Sequence, residues 1–208
     1  MWSWIIVSGM MLFLMNACGS SQPLPTAQDE PTQVVKQAAG PSSSIQRLRM
    51  QAERGNLEAQ FALARVYDLG RDVPKDKTEA IRWYRLAATQ GDAFAQNALG
   101  DNYWEGTGVP KDDREAVRWW QRAADKGFAP AQHSLGKLLA GGGQGVAVDK
   151  PQAYMWLMLS AAQGDEEAGR QGDLLAKQLR PSEVANAKKL INHWKPTRAK
   201  VPVNRMTQ

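Results

Sequence analysis

Thiols and imidazoles, which often act as nucleophiles, bases or metal ligands, are few in this sequence. Cys18 is the only thiol in 208 residues, and His133 and His193 are the only imidazoles. The two histidines lie far apart in the chain and lack the close spacing of metal ligands. A single cysteine cannot form an intramolecular disulfide. We therefore expect no metal site and no cofactor.

Two further stretches hold residue types that can do chemistry. Asp112 and Asp113 are adjacent carboxylates, a pair that could serve in hydrolysis. Neighbouring residues of a helix point in different directions, however, and Asp112 is placed to cap a helix. The loop from Gly141 to Gly145 could cradle a phosphate, but no Gly-Lys-Ser/Thr follows it. We expect neither a hydrolytic site nor a nucleotide site at these positions.

The amino terminus has the features of an export signal. Residues 1–18 contain no charged side chain, and an apolar run extends from Ile5 to Leu14. Such a run suits the central region of a signal peptide and is short for a membrane span. Residues 14–19 resemble a bacterial lipobox, which implies cleavage before Cys18 and lipid modification of its thiol. An uncleaved membrane anchor and an ordinary secretory signal are the alternatives.

The residues after Cys18 bear on localisation. Gly19 and Ser20 follow Cys18, and neither is the aspartate that would resemble an inner-membrane retention signal. The lipobox resemblance therefore implies an outer-membrane lipoprotein facing the periplasm. Residues 19–41 are rich in Ser, Gln and Pro and contain almost no large apolar residues. They cannot bury enough surface to offset the entropy of the chain. We expect them to form a disordered tether that follows the lipid anchor.

Positive charge is concentrated at the carboxyl end. The whole chain carries a net charge of +5, whereas residues 177–208 alone hold eight Lys or Arg and one Glu. We expect residues 196–208 to form a disordered basic tail. Attraction to anionic lipid headgroups, attraction to acidic envelope polymers and simple solvation are three interpretations, of which we favour solvation. No nucleic-acid partner is expected, because the expected compartment contains little nucleic acid.

A fixed period organises the rest of the chain. Gly55, Gly91 and Gly127 stand 36 residues apart, and the next step, to Gly164, is 37. An alanine four residues after each of these glycines keeps the same spacing. A period of this length indicates stacked supersecondary units, each made of two helices. The sequence therefore predicts an all-α fold, a solenoid of helix-turn-helix repeats.

Capping signals indicate where the helices begin. The first helix of each repeat follows a glycine, which ends the preceding helix. In most repeats a polar residue stands between them and caps the first helix. Capping-box spacing marks the start of the second helix, as in Asp112 with Glu115. These signals predict first helices at residues 57–69, 93–105 and 129–140.

Glycine and tryptophan recur inside the predicted helices. Gly100 and Gly136 occupy one position of the first helix, where glycine costs about 1 kcal/mol relative to alanine. Their recurrence indicates the close approach of a neighbouring helix. Trp83, Trp119 and Trp156 each follow an alanine by three residues in the second helix. An aromatic row could be a ligand platform, but we interpret these tryptophans as core residues.

The recurring residues carry a resemblance to a known family. In the central repeat they are Ala88, Gly91, Ala95, Gln96, Leu99, Gly100, Tyr103, Gly106, Gly108, Val109, Asp112, Ala116 and Trp119. These residues resemble the Sel1-like repeat family, a relative of the tetratricopeptide repeat, and the resemblance covers roughly residues 50–194. It implies a right-handed α/α solenoid in which the first helix of each repeat lines a concave groove.

The resemblance also divides the chain. It implies a solenoid over residues 42–195. The repeats are at about 52–87, 88–123 and 124–160, followed by a partial capping repeat at 161–195. The capping repeat ends in a helix with four apolar residues on one face: Val184, Ala187, Ile191 and Trp194. A polar outer face, which a terminal repeat requires, is supplied by Lys188 and Lys189.

Positions of the first helices that the packing pattern does not use are candidates for partner binding. Mixed polar and aromatic residues there suit a peptide or protein ligand. The candidates are Phe61, Arg65, Asn97, Asp101, Trp104, His133 and Lys137. We expect Trp104 and Asp101, in the central repeat, to be the main anchors. The alternative is that these are ordinary solvated positions.

These expectations favour a noncatalytic function. The chain is predicted to be a lipid-anchored scaffold for protein–protein interactions in the bacterial cell envelope. Its partner would be an envelope protein or peptide bound in the concave groove. The alternative is a cell-wall-active hydrolase, acting on peptidoglycan or a β-lactam, or the accessory of such an enzyme. Relatives linked to that chemistry have paired cysteines, which this chain lacks.

Overall fold

The computed structural model describes residues 42–197 of the chain. Within them the secondary structure is helical apart from one isolated bridge between Gly143 and Val146. The helices are α1 Ser43–Glu53, α2 Leu57–Leu69, α3 Lys77–Thr89, α4 Ala93–Glu105, α5 Asp113–Ala124, α6 Ala129–Gly141, α7 Lys150–Ala161, α8 Glu166–Ala176 and α9 Pro181–His193. The expected signal at residues 1–18, the tether at residues 19–41 and residues 198–208 lie outside the described residues.

Successive helices pack as antiparallel pairs that stack in chain order. The closest pairs are α2 with α3, α4 with α5 and α6 with α7, and each pair also contacts the next one through α3 with α4 and α5 with α6. Helix α1 packs on α2 at the amino-terminal end of the described residues. The all-α solenoid of stacked helix pairs is therefore confirmed.

The predicted caps start the first helices. Oδ1 of Asn56 accepts a hydrogen bond from the backbone N–H of Ala59 at 2.8 Å, and Asp92 and Asp165 cap α4 and α8 in the same way. Phe128, at the start of α6, makes no side-chain cap. The sequence order of Gly followed by Asn or Asp therefore fixes these helix starts, because the carboxamide or carboxylate satisfies an N–H that has no partner within the helix.

Glycines at one position of the first helix allow the two helices of a repeat to touch. A Cβ atom added to Gly100 would collide with the indole of Trp120, and one added to Gly136 would lie 2.8 Å from Cγ of Leu157. The prediction of close helix approach is confirmed at both positions. Glycine is required there because a large side chain of the second helix occupies the space that a methyl group would need.

The tryptophan prediction is correct for two repeats and wrong for the central one. Trp83 and Trp156 are 2% and 3% exposed, as expected of core residues. In the central repeat the buried indole is instead that of Trp120, at 2% exposure, whereas Trp119 is half-buried with the Arg122 guanidinium stacked 4.4 Å from its ring centroid. Trp120 lies beside Gly100, at the position that buried Tyr84 and Leu157 occupy in the other two repeats.

Buried glutamines at one recurring position of the first helix bridge neighbouring helices. Nε2 of Gln96 donates a hydrogen bond at 2.9 Å to the carbonyl oxygen of Ala88, in the preceding helix. From the next repeat, Nζ of Lys126 donates to Oε1 of Gln96 at 3.0 Å and to the carbonyl oxygen of Gly91 at 2.7 Å. Gln60 and Gln132 make equivalent bonds to the chain before them. These bonds satisfy polar groups at the repeat junctions that would otherwise be buried without a partner.

The final helix folds back over the preceding repeat. Helix α9 packs on α7, and the ring of Trp194 lies edge-on to that of Trp156 at 6.3 Å between centroids. We expected disorder from residue 196 onward, but the N–H and the hydroxyl of Thr197 donate hydrogen bonds to the carbonyl oxygen of Asp125, at 2.8 and 3.0 Å. The expected disorder therefore does not apply to Thr197, because these bonds hold it against the end of α5.

Candidate functional site

The first helices of the repeats carry the predicted binding residues. Helix α2 carries Phe61 and Arg65. Helix α4 carries Asn97, Asp101 and Trp104. Helix α6 carries His133 and Lys137, and it contacts α4 directly. Four of the seven predicted residues come together where α4 and α6 meet: Asn97, Asp101, Trp104 and Lys137.

A cavity of about 280 Å³ lies at this junction. Its wall includes Asp101, Trp104, Trp120, Ser134, Lys137 and Leu138. The two indoles and the leucine supply apolar surface, while the carboxylate, the hydroxyl and the ammonium supply groups that can orient a ligand. A concave, largely apolar surface with a few polar groups is the usual form of a binding site. We refer to this region as the Trp104 cavity.

Trp104 is the exposed aromatic residue of the cavity. Its side chain is 39% exposed, and its ring lies 6.2 Å from the ring of buried Trp120. The ammonium groups of Lys111 and Lys137 each lie 5.9 Å from the Trp104 ring centroid. This distance allows cation–π attraction. One side of the indole is thus supported by the core, and two cations stand beside it.

Asp101 was expected to bind a partner, but its carboxylate bonds to neighbouring side chains of the fold. Its Oδ1 accepts a hydrogen bond from Nε1 of Trp120 at 2.9 Å, and its Oδ2 accepts one from Nδ2 of Asn97 at 2.8 Å. Burial raises the pKa of Asp101 to about 6, and the charge of Glu105 also acts to raise it. The two hydrogen bonds oppose that rise. Asp101 therefore fixes the indole beneath the cavity and has little capacity left to anchor a partner.

Lys137 is more accessible than Asp101, and the cavity wall also includes the exposed carboxylate of Glu105. The side chain of Lys137 is exposed on α6 and forms no ion pair with any described residue. By contrast, Nζ of Lys111 lies 3.6 Å from Oδ1 of Asp113. Among the predicted residues, Trp104 and Lys137 are thus the two whose side chains are presented to solvent at the cavity.

Phe61 belongs to a row of aromatic side chains that runs across the repeat junctions. Its ring centroid lies 5.8 Å from that of Phe94, which in turn lies 4.7 Å from that of Phe128. Neither Phe94 nor Phe128 was identified from the sequence. Phe94 and Phe128 lie at helix starts, where the repeat pattern does not require a particular residue type. Their relation is therefore visible only in the stacking of their rings in the structure. Arg65 is exposed, one turn further along α2 than Phe61.

His133 is engaged in the fold and does not join the Trp104 cavity. Its Nδ1 lies 2.7 Å from Oδ2 of Asp165, the residue that caps α8. The hydroxyl of Ser160 donates to the same oxygen at 2.9 Å. Burial would raise the pKa of Asp165, but its hydrogen bonds outweigh that effect and hold the pKa below its usual value. Cys18, the predicted lipidation site, lies outside the described residues.

The adjacent carboxylates have separate structural roles. Asp112 caps α5, and Oδ2 of buried Asp113 accepts a hydrogen bond from the backbone N–H of Gln144 at 2.6 Å. Nε of Arg114 donates to the carbonyl oxygen of Gly145 at 2.9 Å. These contacts fasten the glycine-rich loop to the start of α5. Asp113 was not recognised from the sequence as the loop's attachment, because the contact spans 31 residues.

Two further features of the described residues concern metal binding and membrane crossing. Residues 42–197 contain no group of three or more His, Cys, Asp or Glu side chains arranged to hold a metal ion. In the same part of the chain, every helix falls short of the length and apolar character that crossing a membrane requires.

Comparison with known proteins relates the repeats to a family. The family model described as Sel1 repeat matches residues 57–92, 93–128 and 129–165. These matches begin at the first residues of α2, α4 and α6, so each covers one helix pair. Among curated proteins, none matches the chain.

Solved structures show the same relationship. A Sel1 repeat protein from Oxalobacter formigenes is 40% identical, with a TM-score of 0.57, and the match covers 62% of this chain and 97% of that one. A protective antigen of uropathogenic Escherichia coli strains, which displays an SLR fold, is 26% identical with a TM-score of 0.54. That match covers 73% of this chain and 40% of the antigen. With the repeat motif matched over more than half of its length, the chain belongs to the Sel1 repeat family.

Proposed function

We propose that this protein is a noncatalytic scaffold that binds a protein or peptide partner at the Trp104 cavity. Sel1 repeat proteins generally mediate protein–protein interactions, and the repeat is typically a noncatalytic scaffold. The observation that carries the proposal is the exposed Trp104 indole, held against buried Trp120 at the edge of a cavity of about 280 Å³. Tryptophan in such a setting is a frequent source of binding energy at protein interfaces.

The support of Trp104 favours binding. Its neighbour Trp120 is fixed by the hydrogen bond to Asp101, and the Trp120 indole packs directly against Gly100 of α4. A side chain held in place before binding loses little conformational entropy when the partner arrives. The two indoles and the leucine of the cavity wall offer apolar surface to an apolar side chain presented by a peptide or a surface loop.

The cellular setting is a further part of the proposal. We place the protein in the bacterial cell envelope, as an outer-membrane lipoprotein that faces the periplasm and is anchored through Cys18. The support is the resemblance of residues 14–19 to a lipobox after an apolar run. The partner is then an envelope protein or peptide. Replacement of Cys18 by Ser should release the protein from the membrane fraction, and continued membrane association would contradict lipid anchoring.

Binding at the cavity is tested with single variants. Trp104→Ala should reduce crosslinking to envelope partners in intact cells at least tenfold. Leu86→Ala is the matched control, because Leu86 is 41% exposed on α3, outside the cavity. Equal crosslinking by both variants would contradict the assignment of the site. Asp101→Ala is a poor companion substitution, since it also removes the acceptor for Trp120.

The noncatalytic part has its own test. We expect the purified full-length chain to leave peptidoglycan and β-lactams unchanged, as judged by product release. Turnover that disappears in a variant of this chain would favour the cell-wall-active alternative and contradict the scaffold. A control with a known hydrolase under the same conditions establishes that the assay detects cleavage.

A further inference from the structure

We propose that Asp101 takes up a proton when an uncharged apolar side chain of the partner enters the Trp104 cavity, so that the partner is held more tightly in acid than at neutral pH. The inference rests on the proposed function, because it concerns the same cavity. It adds the kind of side chain that is bound and the dependence of binding on pH. Trp104 supplies apolar surface to the partner, whereas Asp101 is the group that titrates.

Asp101 is placed so that filling the cavity changes its surroundings. The residue is part of the cavity wall, together with Trp104, Trp120 and Leu138. Each of its carboxylate oxygens accepts one hydrogen bond within the protein, from Trp120 and from Asn97. A carboxylate has acceptor sites for about four hydrogen bonds, so solvent in the cavity must supply the rest of its solvation. An apolar side chain that replaces this solvent offers the charge no hydrogen bond.

The direction of the effect follows from solvation. Burial raises the pKa of Asp101 to about 6 and acts on it more strongly than any neighbouring charge. Further loss of solvent disfavours the ionised form again, so the pKa rises when an apolar side chain fills the cavity. A group whose pKa is higher in the complex than in the free protein gains protons on binding. The affinity therefore falls as the pH rises from about 6 towards the higher pKa of the complex.

Fixed charges around Asp101 set its starting pKa. Glu105, one turn further along α4, adds to the rise that burial causes. Lys137 on α6 and Lys111 in the loop before α5 hold ammonium groups at the cavity, and these favour the ionised form. On α3, burial raises the pKa of Tyr84, and the charge of Asp101 adds to that rise. These groups are present whether the cavity is empty or filled, so the change on binding comes from the loss of solvent.

Asn97 can serve either protonation state of Asp101. Its Nδ2 donates to the carboxylate at 2.8 Å, whereas its buried Oδ1 accepts no hydrogen bond from the described part of the chain. A half turn of the carboxamide would bring Oδ1 to the carboxyl group, where it can accept the O–H of the protonated form. No hydrogen bond at Oδ1 opposes this half turn. The protonated carboxyl group therefore has an acceptor within the fold.

A tethered group tests the inference without an identified partner. In the full chain carrying Cys18→Ser, Ser134→Cys places a single thiol at a half-buried position of the cavity wall. A benzyl group attached there through a disulfide occupies the cavity, and a methyl group attached in the same way is the matched control. Carboxyl NMR follows the titration of Asp101, and the indole N–H signal of Trp120 reports entry of the benzyl group.

We expect the benzyl group to raise the titration midpoint of Asp101 by about one pH unit relative to the methyl group. A shift of that size means that the protonated protein holds the group about tenfold more tightly than the ionised protein. An aminoethyl group on the same thiol should instead lower the midpoint, because its ammonium favours the carboxylate. A midpoint with the benzyl group that equals or lies below that with the methyl group would overturn the proposal.

Asp101→Asn assigns the effect to this carboxyl group. In urea unfolding, the difference in stability between the benzyl and methyl chains should change with pH in the parent and stay constant in Asp101→Asn. A pH-dependent difference that persists in Asp101→Asn would also overturn the proposal. Failure of the proposed function is a separate result. It would appear as unchanged crosslinking in Trp104→Ala, whereas the tethered group reports on Asp101 whether or not a partner exists.

Discussion

The indole N–H of Trp120 donates a hydrogen bond to Oδ1 of Asp101 at 2.9 Å, which joins the two helices of the central repeat beneath the Trp104 cavity. Trp120 can lie there because Gly100 leaves the necessary space. Asp101 holds this indole at the cost of a buried carboxylate. Because Asp101 can gain or lose a proton, the packing of the central repeat depends on pH. Because Trp120 lies beneath the cavity, the same packing also affects the shape of the proposed binding site.

The buried carboxylate predicts a pH effect on stability. The pKa of Asp101 is raised from 3.8 to about 6 in the folded chain, so the folded state binds more protons than the unfolded state between these values. Stability should therefore fall as the pH rises through this interval, by up to roughly 3 kcal/mol. Carboxyl NMR of Asp101 should show a midpoint near 6. Asp101→Asn should remove this contribution, and a midpoint near 4 would contradict the assignment.

The contact between Gly100 and Trp120 predicts a steric effect. Gly100→Ala should destabilise the chain by about 1 to 3 kcal/mol in urea unfolding, because the added methyl group collides with the indole. Gly141→Ala is the control, since a Cβ atom there meets nothing within 4 Å and the residue ends a helix. Equal stability of the two variants would show that the helices can separate without cost.

The contact between His133 and Asp165 predicts a loss of stability in acid. The pKa of Asp165 is lowered in the folded chain, so its contribution is present above the unfolded value of about 3.9 and is lost as the pH falls through the folded value. His133→Ala should cost about 1 kcal/mol near neutral pH and reduce the acid dependence in thermal unfolding. His193→Ala is the control, because that ring bonds only to a backbone oxygen of its own helix. An unchanged acid profile in His133→Ala would contradict this role.

The bonds from Thr197 predict where the chain can be shortened. A chain that ends after Lys195 loses both hydrogen bonds to Asp125 and should be less stable by about 1 to 2 kcal/mol. A chain that ends after Thr197 keeps them and should unfold at the same urea concentration as the full chain. If the two shortened chains have equal stability, these bonds contribute nothing measurable.

The repeat period made the fold predictable. The spacing of Gly55, Gly91 and Gly127 located the helix pairs, and Asn or Asp beside these glycines located most helix starts. Gly100 and Gly136 were correctly attributed to packing. These features are local or periodic, so they can be recognised in a single sequence.

The candidate site was predictable only in part. Periodicity placed Trp104 and Lys137 on the face where the cavity lies, but not the direction in which each side chain extends. Asp101 was expected to anchor a partner, whereas its oxygens bond to Trp120 and Asn97. Trp119 and Trp120 are equally hydrophobic, so the sequence does not indicate that Trp120 is buried while Trp119 is only half-buried.

The bonds that Lys126 makes to Gly91 and Gln96 have a consequence for how long such a chain can be. Gln90 makes the same pair of bonds to Gly55 and Gln60, one repeat earlier. At these two junctions the bonds join residues of adjoining repeats, so their energy is a nearest-neighbour quantity. A duplicated copy of residues 93–128 inserted in tandem would carry both halves of the junction with it. The array is in this sense modular, and units can be gained or lost without redesign of the surfaces that join them.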